Sequence, residues 1–169
     1  DYNRAWPGTE LPLCSETKLM QQVTDIMKAR SPFASIDIHN NTGLNPHYGC
    51  VNYLDNKILQ LASHFSPIIV YFRRPLGVQS RAFARFCPAI TIECGKPHLA
   101  DSASHAMAFI DTCLNMDSLP CSPPNNGSTL YHTIATVKVP AHCSISFGHC
   151  EDDICFPSDL DSMNFCQIN

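Results

Sequence analysis

The chain has 169 residues, of which 44% are hydrophobic and 15% charged, enough apolar material for a buried core without staples. Its formal net charge of -4, from 11 Lys+Arg against 15 Asp+Glu, offers no basic stripe for phosphates and argues against a nucleic-acid partner. The longest apolar run, Pro67 to Phe72, is far short of the roughly 20 residues that cross a bilayer, so a soluble, cytoplasmic chain without a membrane partner is expected.

In chain order, Leu19, Met20, Val23, Ile26 and Met27 recur at helical spacing between Glu16 and Arg30, with Ser15 as a candidate N-cap. Ser31 and Pro32 break that helix. The stretch SIDIHNNTG then alternates, with Ile36 and Ile38 on one face of a strand and Asp37 and His39 on the other. Leu54, Ile58, Leu61, Ala62 and Phe65 predict a second helix, and Ile68 to Phe72 a second strand. RRPLGVQSRAFARF, broken by Pro75 and Gly77, reads as no simple core element. Ala89 to Cys94 is a third strand, with Ala89, Thr91 and Glu93 on one face, and a helix follows to about Leu114.

Strands alternating with helices predict an α/β fold with a mixed, largely parallel sheet and flanking helices. The expected boundaries are residues 1–117 for the α/β part, a Pro/Ser/Asn-rich linker at 118–129, and a small β appendage at 130–169 built on LYHTIATVKVP and HCSISFG.

The ten cysteines form no C-x-x-C pair, which weakens a redox motif and a zinc ribbon alike. Several lie in apolar periodic segments, where reduced cysteine behaves as a small hydrophobe, so most are expected to be reduced. Cys150 and Cys155, near Cys143 and Cys166, are the best candidates for pairing.

Ligands of open α/β sheets sit beyond the carboxyl ends of the strands, and His39 and Glu93 each end a predicted strand. A lone histidine is more often structural, and a lone strand-end glutamate is more often solvated. Asp37 on the face of His39, and the apolar run AITI before Glu93, favour an imidazole beside a partly dehydrated carboxylate.

DYNRAWPG, SIDIHNNTG and PAITIECG, in this order and spacing, resemble the zinc-dependent succinylglutamate desuccinylase/aspartoacylase family, relatives of the zinc carboxypeptidases. The tail, with LYHTIATVKVP and FPSDLDSMNF, resembles the small β domain that follows the catalytic domain in that family. The resemblance implies one Zn2+ ion with His39 as a ligand, Glu93 as the catalytic base, and Asp37 as an acidic residue behind the ligand. It further implies that Asn3, Arg4 and Arg81 hold a substrate carboxylate, where an arginine fork fits two oxygens at once.

The implied activity is hydrolysis of the amide of an N-acylated amino acid or a similar small carboxylate-bearing substrate, by a protein that could be a homo-oligomer. A zinc carboxypeptidase acting on small peptides is the second enzyme reading, and a non-catalytic binding domain without metal is the reading from another class. The family's other two zinc ligands lie in an H-x-x-E motif upstream of the Asn-Arg pair, and no H-x-x-E occurs in these 169 residues. The chain therefore reads as the middle of a longer protein, and zinc binding by this chain alone is expected to be poor.

Overall fold

The computed structural model describes residues 1–125 and 127–167. A 3-10 turn at Tyr2–Arg4 precedes helix α1 (Ser15–Ala29) and strand β1 (Ser35–His39). Strand β2 (Tyr48–Val51), helix α2 (Asn56–Phe65) and strand β3 (Ile68–Tyr71) follow. A short helix α3 (Gln79–Phe83) leads into strand β4 (Ala89–Glu93) and helix α4 (Ala100–Leu114). Strands β5 (Thr129–His132), β6 (Ile145–Phe147) and β7 (Ile154–Phe156) and a 3-10 turn at Leu160–Met163 complete the order.

Five strands form one mixed sheet in the order β1-β4-β2-β3-β5. The pairs β1/β4, β2/β3 and β3/β5 are parallel, and β2 runs antiparallel to β4. The expected mixed, largely parallel α/β sheet with flanking helices is the fold observed. The antiparallel pairing brings the start of β2 to the ends of β1 and β4: Glu93 is in register with His39 on one side and Tyr48 on the other.

Alternation decides which layer covers each face. Val51, Ile69, Ile90 and Ile92 point into a core closed by Ile58, Leu61 and Phe65 of α2 and Ala106 and Phe109 of α4. Burying each such aliphatic side chain is worth about 1.5–3 kcal/mol. Gly49 lets α2 lie close over β2, since a Cβ there would stand 3.1 Å from that of Ala62. On the opposite face a smaller cluster of Ala82, Phe83, Cys87 and Ala89 packs against Trp6 and Met27, with the Trp6 and Phe83 rings edge-on at 5.5 Å. That layer leaves the last residues of β1 and β4 open.

Several elements differ from the sequence reading. RRPLGVQSRAFARF carries α3, and it is a core element after all: Ser80, Ala82 and Phe83 are buried. Arg74–Pro75 is a cis peptide bond within this stretch. The segment read as a linker is strapped down, because Leu119 is buried and the side-chain amides of Asn56 and Gln60 donate to the carbonyls of Cys121 and Ser122 at 2.7 and 3.0 Å. Thr129–His132, assigned by sequence partly to that linker and partly to the appendage, instead pairs with the open edge of β3 in the main sheet. The remaining appendage is the parallel pair β6/β7, next to a Cys150–Cys155 disulfide as expected. Its end folds back so that Phe165 packs on Tyr48 and Tyr131 at ring distances of 5.1 and 5.4 Å.

Candidate functional site

The open ends of β1 and β4 form the floor of a small cleft of about 180 Å3, lined by Asn3, Arg4, His39, Cys50, Phe72, Pro75, Val78, Thr91 and Glu93. Four residues singled out by sequence, Asn3, Arg4, His39 and Glu93, therefore share one cavity although up to 90 positions separate them. Asp37 stands one step back on the same face of β1, its Oδ2 3.2 Å from His39 Nε2. The other ring nitrogen, Nδ1, lies 3.7 Å from Glu93 Oε1.

These contacts follow from strand periodicity and register. Residues 35, 37 and 39 of β1 and 89, 91 and 93 of β4 face the same way, and parallel pairing sets His39 beside Glu93. Donation of its ring N–H groups to the carboxylates of Asp37 first, and Glu93 second, raises the His39 pKa to about 10. Glu93 is only 16% exposed, as the apolar run before it suggests, and its Oε2 accepts from Asn41 Nδ2 at 3.4 Å. Burial and the Glu93 charge raise the Tyr48 phenol well above its ordinary value, so Tyr48 stays neutral.

Asn3 and Arg4 reach the cleft because the N-terminal turn is clamped from both sides. Asn3 N–H donates to Asp1 Oδ1 at 3.0 Å, Thr9 Oγ1 donates to the Arg4 carbonyl at 2.6 Å, and Trp6 N–H donates to the Gly77 carbonyl at 3.1 Å. Gly77 adopts φ +74°, and a Cβ there would come within 2.2 Å of the Arg4 carbonyl oxygen, so only glycine lets the two segments meet. Arg4 Nη1 donates to the Asn3 carbonyl at 2.7 Å, and among the described residues Arg4 has no carboxylate partner.

Beneath the floor lies a buried polar chain that the sequence does not reveal. Thr91 Oγ1 donates to Ser80 Oγ at 3.0 Å, Ser80 Oγ donates to Asn52 Oδ1 at 2.8 Å, and Asn52 Nδ2 donates to the Phe72 carbonyl at 3.2 Å. It ties α3 and the end of β2 to the strand that presents Glu93. Thr91 alone was visible as a residue on the Glu93 face.

Arg81 is not in this cleft. It lines a neighbouring cavity with Arg73 and Arg74, its guanidinium 5.6 Å from the centre of the Tyr53 ring. It stands on α3, a helix that the sequence reading did not foresee.

The donor set does not complete a zinc site. Both nitrogens of His39 already face carboxylates, and among the described residues no group of three or more His, Cys, Asp or Glu side chains could hold a metal ion. Zinc sites use at least three protein ligands.

No family model and no curated protein matches the sequence. Solved structures do match. Succinylglutamate desuccinylase from Chromobacterium violaceum superposes with a TM-score of 0.56 at 15% identity, covering 81% of this chain and 52% of that one. The ectoine utilization protein EutE (DoeB) from Ruegeria pomeroyi gives 0.55 at 14% identity, over 79% of this chain and 46% of that one. Succinylglutamate desuccinylase from Vibrio cholerae gives 0.55 at 12% identity, over 80% and 46%. The chain thus spans about half the length of the structures it matches, and over that span it has the α/β fold of the succinylglutamate desuccinylases.

Proposed function

We propose that the cleft is the proton-transfer and carboxylate-binding part of an amide-hydrolysing site, acting on an N-acylated amino acid or a similar small substrate with a free carboxylate. The observation that carries this reading is the convergence of Asn3, Arg4, His39 and Glu93 on one cavity. The likeness in fold to desuccinylases supports the same class of reaction.

Arg4 and the Asn3 amide supply the donors that a carboxylate needs, and a guanidinium without a carboxylate partner attracts it before contact. Phe72, Pro75 and Val78 give the cleft an apolar wall that thins the water around Glu93. In hydrolysis, Glu93 takes a proton from the attacking water as the new C–O bond forms. It returns that proton to the leaving nitrogen as the C–N bond breaks, giving a carboxylic acid and an amine. His39, held by Asp37, fixes the position of the Glu93 carboxylate. The zinc dependence implied by the resemblance would need two further protein ligands from outside these residues.

The test is a panel of N-acetyl and N-succinyl amino acids and blocked dipeptides, assayed with the protein in Zn2+-supplemented buffer. Release of free amino acid from the N-acyl compounds is the expected result. Hydrolysis confined to blocked dipeptides would replace this reading with a carboxypeptidase. Saturable binding of the same compounds without turnover of any would replace it with a non-catalytic binding domain.

A further inference from the structure

The cavity that holds Arg81 has a volume of about 680 Å3, several times that of the cleft at Glu93. Arg73, Arg74, Arg81 and His132 line it, and among the described residues no carboxylate does, in a chain whose net charge is -4. Arg74 is neutralised by Glu10, which accepts from Nη1 at 2.7 and 2.8 Å. Among the described residues Arg73 and Arg81 have no carboxylate partner. Arg81 is nevertheless held in place, over the Tyr53 ring and with Nη1 3.4 Å from the Arg73 carbonyl.

Residues 132–136 run from the end of β5 along the cavity. After the bond from Thr133 N–H to the Tyr71 carbonyl, the backbone groups of Ile134, Ala135 and Thr136 find no backbone partner among the described residues. Ile134 is 88% exposed. A segment that continues from the edge strand β5, whose backbone groups have no backbone partner among the described residues, in the same cavity as two unneutralised guanidinium groups, matches a ligand with its own extended backbone and negative side chains.

We propose that this cavity binds an acidic peptide in extended conformation, its backbone pairing with residues 134–136 and its carboxylates meeting Arg73 and Arg81. A single phosphate or carboxylate would engage the guanidinium groups, but would leave residues 134–136 and most of the volume unused. The cavity adjoins a second one reaching Arg4, the two sharing Arg74, Leu76 and Thr136. Peptide binding rests on this cavity alone, and only a continuation of the peptide towards Glu93 rests on the proposed function.

Titration calorimetry of the protein with a tetraglutamate peptide blocked at both ends tests this, because the readout is binding rather than turnover and the Arg73 and Arg81 variants separate this cavity from the Arg4 cleft. Saturable binding is expected, weakening as salt is raised, with none for the tetraglutamine counterpart. Arg73→Gln and Arg81→Gln should each weaken it by about tenfold. Arg81 packs on Tyr53, so if its variant fails to fold, the exposed Arg73→Gln carries the comparison. No binding of tetraglutamate, an unchanged affinity in Arg73→Gln, or inorganic phosphate binding as tightly as the peptide would each overturn the proposal.

Discussion

His39 and Glu93 stand opposite each other in the register of β1 and β4, with imidazole Nδ1 3.7 Å from the carboxylate. Fifty-four positions apart in the chain, they meet because parallel pairing aligns two strand ends, and Asp37 fixes the ring from behind at 3.2 Å. The site's chemistry depends on how firmly that pair and the N-terminal turn are held.

Arg4 is predicted to set substrate affinity. Replacing it with Ala removes a two-point carboxylate contact and should raise KM by about 10- to 100-fold, with a smaller effect on kcat. Arg4→Lys should recover only part of the loss, because an ammonium cannot present two parallel donors. Steady-state kinetics on the best N-acyl amino acid would show it, and an unchanged KM in Arg4→Ala would remove Arg4 from the site.

Gly77→Ala is predicted to damage both stability and affinity. The new Cβ would meet the Arg4 carbonyl at 2.2 Å in a backbone at φ +74°. The strained conformation alone costs about 1–3 kcal/mol, and relief of the clash must move the turn that carries Arg4. Urea unfolding together with KM would register both changes, whereas a variant of wild-type stability would contradict the close approach.

The polar chain under the floor makes Ser80→Ala costly despite its small change in volume. Ser80 is fully buried, and its loss leaves Asn52 Oδ1 and Thr91 Oγ1 without the partner each has now. A loss of about 1–3 kcal/mol in chemical denaturation is expected, against almost none if the site could admit water.

Acid should destabilise the protein through His47. Its ring lies 4.4 Å from that of His105, and burial first, then the neighbouring His105, pushes its pKa below the ordinary value. The unfolded chain then takes up a proton that the folded one resists, so stability falls as pH drops through about 6.5 and levels off below the folded pKa. His39 acts in the other sense: its contribution is complete below about pH 6.5 and is lost as pH rises towards its folded value of about 10. The difference between wild type and His47→Gln isolates His47. A smaller fall in urea midpoint for the variant, between about pH 7.5 and 5, is expected, and equal falls would refute the assignment.

How much of this was legible in the sequence varies by element for physical reasons. The α1, α2 and α4 helices and the strands at Ser35, Ile68 and Ala89 announce themselves because each buries one regular stripe or face. Strand β2 was invisible: it has four residues, one of them Gly49, and its burial comes from partners on both sides rather than from its own pattern. Helix α3 was hidden by Pro75, Gly77 and four arginines, although only Ser80, Ala82 and Phe83 turn inward. Arg81, which the resemblance marks as holding a substrate carboxylate, lies on this helix and lines a different cavity from Glu93. The assignment of β5 to the appendage erred because strand pattern does not say which sheet edge a strand will join. His39, Glu93, Asn3 and Arg4, which line one cleft, stand out in the sequence at strand ends and in DYNR, while the Ser80–Asn52–Thr91 chain is built from common polar residues with no spacing rule.

The proposed role of Glu93 as the group that moves the proton in amide hydrolysis is open to test by Glu93→Gln, since the substitution keeps the shape and removes the base. Single-substrate kinetics on the N-acyl amino acid that the protein turns over fastest should show kcat reduced by about 100- to 10,000-fold, with substrate affinity within a few-fold of wild type. Turnover in Glu93→Gln within a few-fold of wild type would contradict the account.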